Sequence, residues 1–175
     1  IQSSFEGVNA QQNYVYSNFS LQDTEFLTKT ILDKKYEIEG CQVIDYSGIL
    51  DIKSDVIDSD SKPCLNVSSN DVKINGQSHL LDGNGSNQVE YAGVSADSGI
   101  NNLTVTNLYV DEWRDGILVN SVPNPSDITI RNITAKNNYN GIFADTEYGL
   151  EVIGGNYSSN GNDGIEVTGD GNYIE

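Results

Sequence analysis

The sequence has no methionine, one histidine, one tryptophan, three prolines and two cysteines in 175 residues. His79, Cys41 and Cys64 have no zinc-ligand spacing, so no structural zinc site is expected, and no cofactor is expected unless the acidic turns take calcium. Basic side chains are also scarce: nine Lys and Arg against 26 Asp and Glu give a formal net charge of −17. Such a chain repels phosphate backbones and anionic membrane surfaces, so nucleic acid is not an expected partner. No apolar run approaches the roughly 18 residues of a spanning helix, so no membrane span is expected in this chain. Without Met at position 1, the chain reads as processed or as a segment, any cleaved signal being already gone.

What is present argues against disorder. Hydrophobic residues make up 37% and fall in short, regularly placed β-branched clusters. Seventeen Gly and 21 Asn against three Pro indicate many tight turns.

Those clusters repeat. Leu103–Val119, Ile128–Ala144 and Leu150–Val167 each open on an apolar-x-apolar pair and close on Gly followed by another such pair. The closing pairs are Ile117/Val119, Ile142/Ala144 and Ile165/Val167, and Val94/Ala96 and Leu65/Val67 extend the series upstream. No window keeps a 3.6-residue period for three turns, so the elements are strands. Short strands at one fixed period, with no helix between them, mean that the chain coils about an axis. Each coil adds about 4.8 Å, and inward Ile, Val and Leu stack in ladders. The fold class expected is all-β, a right-handed single-stranded parallel β-helix of about five coils. The rival is a β-sandwich with turns every 8–12 residues or so, which gives no reason for residues one repeat apart to match in type. The glycine before each closing pair (Gly93, Gly116, Gly141, Gly164) is expected at a corner needing positive φ.

Cys41 and Cys64 are one repeat apart. Stacked positions about 4.8 Å apart fall within the Cα window of a disulfide, and a bond there would staple the first coil to the second. The alternative is two buried thiols.

The stretch from Cys41 to Leu50, Cys64-Leu-Asn-Val, Asn70 to Gly83 and Asn102 to Leu108 resembles the opening of archaeal cell-surface proteins. In that family a Cys-containing cap leads into parallel β-helix repeats of the kind also seen in periplasmic copper-site maturation proteins. The resemblance covers residues 38–175, and its most specific phrase is Ile-Asn-Gly-x-x-His-x-x-Asp-Gly at 74–83. It implies an exported, often glycosylated surface protein, usually without a catalytic site, and gives His79 a structural place near a Gly corner.

Enzymes also use this architecture. Polysaccharide lyases of this kind need clustered Lys or Arg, but Arg114, Arg131 and the seven Lys are not clustered in the repeats. Hydrolases need carboxylates on adjacent coils, roughly 5–9.5 Å apart. Asp115, Asn140 and Asp163 fall in matching positions, where Asx before Gly is ordinary turn chemistry and predicts a stacked ladder. Tyr109, Trp113 and Tyr139 are the aromatics that would stack sugars if they share a face. The turns at Asp82–Gly85, Asn162–Gly164 and Asp170–Asn172 offer oxygen ligands of the kind calcium takes, without a complete calcium-loop pattern.

Six Asn-x-Ser/Thr sequons, at Asn18, Asn66, Asn84, Asn102, Asn132 and Asn156, are candidate glycosylation sites. Asn132 matches Asn107 one repeat earlier, so an internal Asn ladder competes for it, and because a glycan needs solvent access the loop sites Asn18 and Asn84 are favoured.

Residues 1–37 have another texture and read as an N-terminal arm or cap on the β-helix domain of 38–175. Tyr14, Val15 and Tyr16 alternate as in a strand, and Thr24–Lys35 reads as a short helix with Asp23 as N-cap. The expected function is a non-catalytic, exported surface or extracellular structural protein, glycosylated and assembling head to tail into a filament or layer. Its partners are then copies of itself or further domains of a longer parent. The rival is a polysaccharide-binding or polysaccharide-processing β-helix protein.

Overall fold

The computed structural model describes residues 34–85, 91–122, 127–146 and 149–175. Within them the chain forms strands and turns only, and every strand pairing is parallel. The expected β-solenoid is therefore the fold. Asn18, the Tyr14–Tyr16 alternation and nearly all of the expected helix lie outside the described residues. Lys35, the last residue of that expected helix, instead opens β1 (Lys35–Ile38), where the alternation ends on the buried Ile38.

One face stacks six strands, β2 (Gln42–Ile44), β5 (Leu65–Val67), β8 (Ala92–Ala96), β11 (Asp115–Val122), β13 (Asn140–Thr146) and β15 (Ile165–Thr168). Its register runs Gln42, Leu65, Val94, Ile117, Ile142, Ile165, with a second column Ile44, Val67, Ala96, Val119, Ala144, Val167. From Leu65/Val67 to Ile165/Val167 these are the pairs expected from the repeat; the structure adds Gln42/Ile44 one coil earlier.

A second face stacks β1, β3 (Gly48–Ile52), β6 (Val72–Asn75), β9 (Leu103–Thr106), the first part of β12 (Ile128–Lys136), β14 (Leu150–Asn156) and β16 (Tyr173–Ile174). A third stacks β4 (Val56–Ser59), β7 (Leu80–Gly83), β10 (Tyr109–Asp111) and the last part of β12. The nine-residue β12 turns the corner unbroken. Its Ile128–Arg131 pair with Leu103–Thr106, and its Thr134–Lys136 pair with Tyr109–Asp111.

The bend sits at Asn132, whose φ is 52°; Asn107 below it has φ 53° and Gly154 above it φ 60°. Asn and Gly are the residues that enter the left-handed region at least cost, which explains this column.

The expected positive φ at Gly93, Gly116, Gly141 and Gly164 is not found: none of the four lies in that region. The reason for glycine is close approach. A Cβ on Gly116 would stand 2.6 Å from the Gly141 carbonyl oxygen, and one on Gly141 would strike the Gly164 carbonyl. Glycine lets the backbones of successive coils touch at this corner.

The interior is a column of apolar ladders, for example Leu50, Ile74, Val105, Ile130 and Val152 on the second face, each 1% exposed or less. Burying one such side chain contributes about 1.5–3 kcal/mol, and only stacking can supply that here, since one coil has no interior of its own. Trp113 and Tyr91 fill the lumen where the repeat is longest, their ring centroids 4.7 Å apart.

Candidate functional site

Cys41 and Cys64 are joined in a disulfide, with Cα atoms 4.4 Å apart. β2 and β5 place them: Cys41 precedes Gln42, Cys64 precedes Leu65, and Gln42 and Leu65 are register partners. The bond ties the first two coils of the six-strand face together.

The set Asp115, Asn140, Asp163 stacks as expected for a ladder. Asn140 donates its Nδ2 to Asp115 Oδ1 at 2.9 Å, and its own Oδ1 accepts from Asn162 Nδ2 at 3.0 Å and from the Asp163 N–H at 3.3 Å. Asp115 is fully buried, and Arg114 Nη1 donates to its other oxygen at 2.8 Å. Burial pushes the Asp115 carboxyl above its ordinary pKa, and the bonds from Asn140 and Arg114 only partly offset this. This buried carboxylate accepts from the side chains of Asn140 and Arg114 at a corner.

A second interior ladder escaped the sequence reading. Asn138 Oδ1 accepts the Trp113 N–H at 2.9 Å and its Nδ2 donates to the Val110 carbonyl at 3.1 Å; Asn160 repeats the arrangement one coil on, accepting from the Asn138 N–H. The signal was available as Trp113, Asn138 and Asn160 at repeat spacing. It was hidden because the bottom rung is Trp, whose indole Nε1–H makes the equivalent bond, to the Leu81 carbonyl, from a side chain of another type.

The internal ladder proposed for Asn132 is external. Asn132 Nδ2 donates to Asn107 Oδ1 at 3.5 Å, Asn107 to Asn75 at 3.4 Å, and Asn75 to Asp51 at 3.2 Å, all along the outside of one corner. The left-handed backbone at Asn107 and Asn132 turns these side chains outward.

His79 Nδ1 lies 2.9 Å from Asp55 Oδ1, which also accepts the Leu80 N–H at 2.9 Å. The Leu80 bond first, and then the imidazole, hold the Asp55 carboxyl below its usual range. This is a bridge between coils.

The aromatics divide. Trp113 is 1% exposed, inside the lumen, with its Nε1–H on the Leu81 carbonyl at 2.9 Å; Tyr109 and Tyr139 are 46% and 40% exposed. Tyr109 lies on β10 of the third face, and Tyr139 on the turn that enters β13.

On that third face the structure brings together two carboxylates that the sequence reading did not pair. Asp82 and Asp111 are register partners on adjacent strands, both half-buried on the outer side, with Lys136 the next rung after Asp111. Burial raises the Asp82 pKa; the Asp58 N–H lowers it, and the charges of Asp111 and Asp58 raise it further. Tyr109 stands two residues before Asp111, hence on the same side. The spacing from Asp82 to Asp111 is that of the one long coil, which breaks the 23-to-25-residue phase and hid the pair.

Among the described residues no three His, Cys, Asp or Glu side chains converge as a metal site would require. Nor, among those residues, is any helix long and apolar enough to cross a membrane.

No protein-family model matches the chain, and no curated protein or solved structure gives a significant match.

Proposed function

We propose that the chain is a non-catalytic structural module of an exported surface or extracellular protein, glycosylated and assembling with copies of itself or with further domains of a longer parent. The observation that carries this reading is how the chemically capable side chains are used. Asp115, Asn140 and Asn162 bond one another across coils, and His79 bonds Asp55 across coils. Polar side chains here hold coils together, as a scaffold requires. The disulfide is in keeping with an oxidising compartment. The likeness to archaeal cell-surface β-helix proteins in residues 38–175 points the same way. Intact-mass measurement and non-reducing peptide mapping of native material test it. Glycan increments above 19.1 kDa and a Cys41–Cys64 peptide are expected; a bare mass with two alkylatable thiols overturns the reading.

A second reading, carbohydrate binding or processing, has one specific observation in its favour: Asp82 and Asp111 on adjacent strands beside the exposed Tyr109. Strands about 4.8 Å apart put two carboxyls near the roughly 5–5.5 Å of a retaining pair. Product release from a polysaccharide panel, abolished by Asp82→Asn and by Asp111→Asn, would establish it. No release and no binding across the panel would remove it.

A further inference from the structure

We propose that Asn156 is the sequon which the folded chain offers as a glycan acceptor, in preference to Asn66, Asn84, Asn102 and Asn132. The inference rests on the proposed export of the chain and sharpens it. In four of the five described sequons the amide nitrogen that must react is already used. Asn66 Nδ2 donates to Asp97 Oδ2 at 3.4 Å, Asn102 Nδ2 to Asp71 Oδ1 at 2.6 Å, Asn84 Nδ2 to Asp60 Oδ1, and Asn132 Nδ2 to Asn107 Oδ1 at 3.5 Å. Each partner belongs to a neighbouring coil, so reaching a transferase means breaking a rung. Asn102 and Asn132 also hold corners at φ 56° and 52°.

Asn156 differs on every count. It ends β14, is exposed, and is flanked by exposed Gly154, Gly155, Ser158 and Ser159. Its Oδ1 accepts the Ser158 hydroxyl at 2.8 Å and the Ser158 N–H at 3.1 Å. The acceptor Asn and the hydroxyl of its own sequon are thus already joined in an Asx turn. Among the described residues its Nδ2 has no hydrogen-bond partner.

The donor class is a polyprenyl-diphosphate-linked oligosaccharide, brought by a transferase. Asn156 Nδ2 bonds to the anomeric carbon as the bond from that carbon to the diphosphate oxygen breaks. The lipid diphosphate leaves with the electron pair, and one amide proton passes to a base of the transferase.

The test uses the full 175-residue chain, made without glycans and with its disulfide formed, incubated folded with a single-subunit oligosaccharyltransferase and lipid-linked oligosaccharide. Site occupancy is read by glycopeptide mapping. Occupancy at Asn156 is expected to exceed that at Asn66, Asn84 and Asn102 by about tenfold, the order of factor that a hydrogen bond to a charged group holds back, and that at Asn132, whose partner is the neutral Asn107 amide, by a smaller factor. Asn156→Gln and Ser158→Ala remove that transfer, and Ser158→Thr keeps it. Reduction and unfolding erase the preference. Equal or greater occupancy at Asn66, Asn84, Asn102 or Asn132 in the folded chain overturns the inference, as does a folded chain that takes no glycan while the unfolded one does. Neither result touches the proposed export, which fails separately if native material carries free thiols.

Discussion

Asp115 is the one acidic or basic side chain among the described residues that is buried. Neutralising it removes the cost of a buried charge while the Asn140 bond survives, because an asparagine oxygen accepts as a carboxylate oxygen does. The bond from Arg114 to the other oxygen is lost, and the partly exposed guanidinium turns to water instead. Asp115→Asn should therefore stay within about 1 kcal/mol of the native stability, whereas Asp115→Ala, which strands Asn140 Nδ2, should lose about 1–3 kcal/mol. Because its folded pKa lies above the unfolded value, the Asp115 contribution is fully present below the unfolded pKa and is lost as pH rises through the folded one. Urea midpoints should show Asp115→Asn gaining on the native chain as pH rises from the unfolded carboxylate range toward neutrality; a constant difference would refute the buried-charge account. The ladder position of Asp115 was legible from its spacing to Asn140, but its burial was not. Asx-Gly says turn, and only the stack says which side of the turn is covered. The four Asn-Gly bonds carry a related expectation. The N–H groups of Gly76, Gly85, Gly141 and Gly161 each donate to a carbonyl of the neighbouring coil at 2.7–2.9 Å. A nitrogen so engaged cannot attack the preceding side chain to close a succinimide. Isoaspartate at pH 8 should accumulate in the folded chain only as fast as local opening allows, and much faster in urea. Equal rates in both states would show that these bonds give no protection.

At the scale of elements, the apolar columns of the six-strand face were readable because inward positions must match in type from coil to coil, whatever the turns between them do. The corners were harder to read. Glycine at repeat spacing has two physical causes, positive φ and backbone contact, and the sequence does not separate them. Here contact explains Gly116 and Gly141, while positive φ falls on other residues, among them the columns Asn107, Asn132, Gly154 and Glu112, Asn137, Ser159. The two causes predict different mutants. Gly116→Ala should cost about 1–3 kcal/mol through overpacking against the Gly141 carbonyl. Gly40→Ala, where a Cβ would meet nothing within 4 Å and φ is not positive, should be neutral or stabilise by about 0.4–1 kcal/mol through the unfolded state. Thermal or urea unfolding checks both. A neutral Gly116→Ala would mean that the coils can spread at this corner.

For the whole molecule, two features act along the axis. Each coil touches only its neighbours, so stability is close to a sum of coil and interface contributions, and a local change is felt locally. Replacing both Cys41 and Cys64 with Ser should cost about 3 kcal/mol in the loop-entropy account. Hydrogen exchange should then show β2 and β5 losing protection while β11 to β14 keep theirs; uniform loss would mean that the solenoid unfolds as a single unit. The other feature is charge. At −17 the chain repels its own copies, and that repulsion opposes any head-to-tail contact between solenoids. Ions shorten its reach, to about 10 Å at 0.1 M salt and about 3 Å at 1 M. A contact made by main-chain pairing and apolar stacking does not weaken in the same way. The proposed self-assembly should therefore strengthen with ionic strength, the reverse of what complementary charges would give. Sedimentation of the native chain from low to high salt decides this. Growing oligomers with rising salt support assembly through strand and apolar contacts, and oligomers that dissolve in salt would point to charge pairing. A monomer that stays monodisperse throughout removes self-assembly from the proposed function.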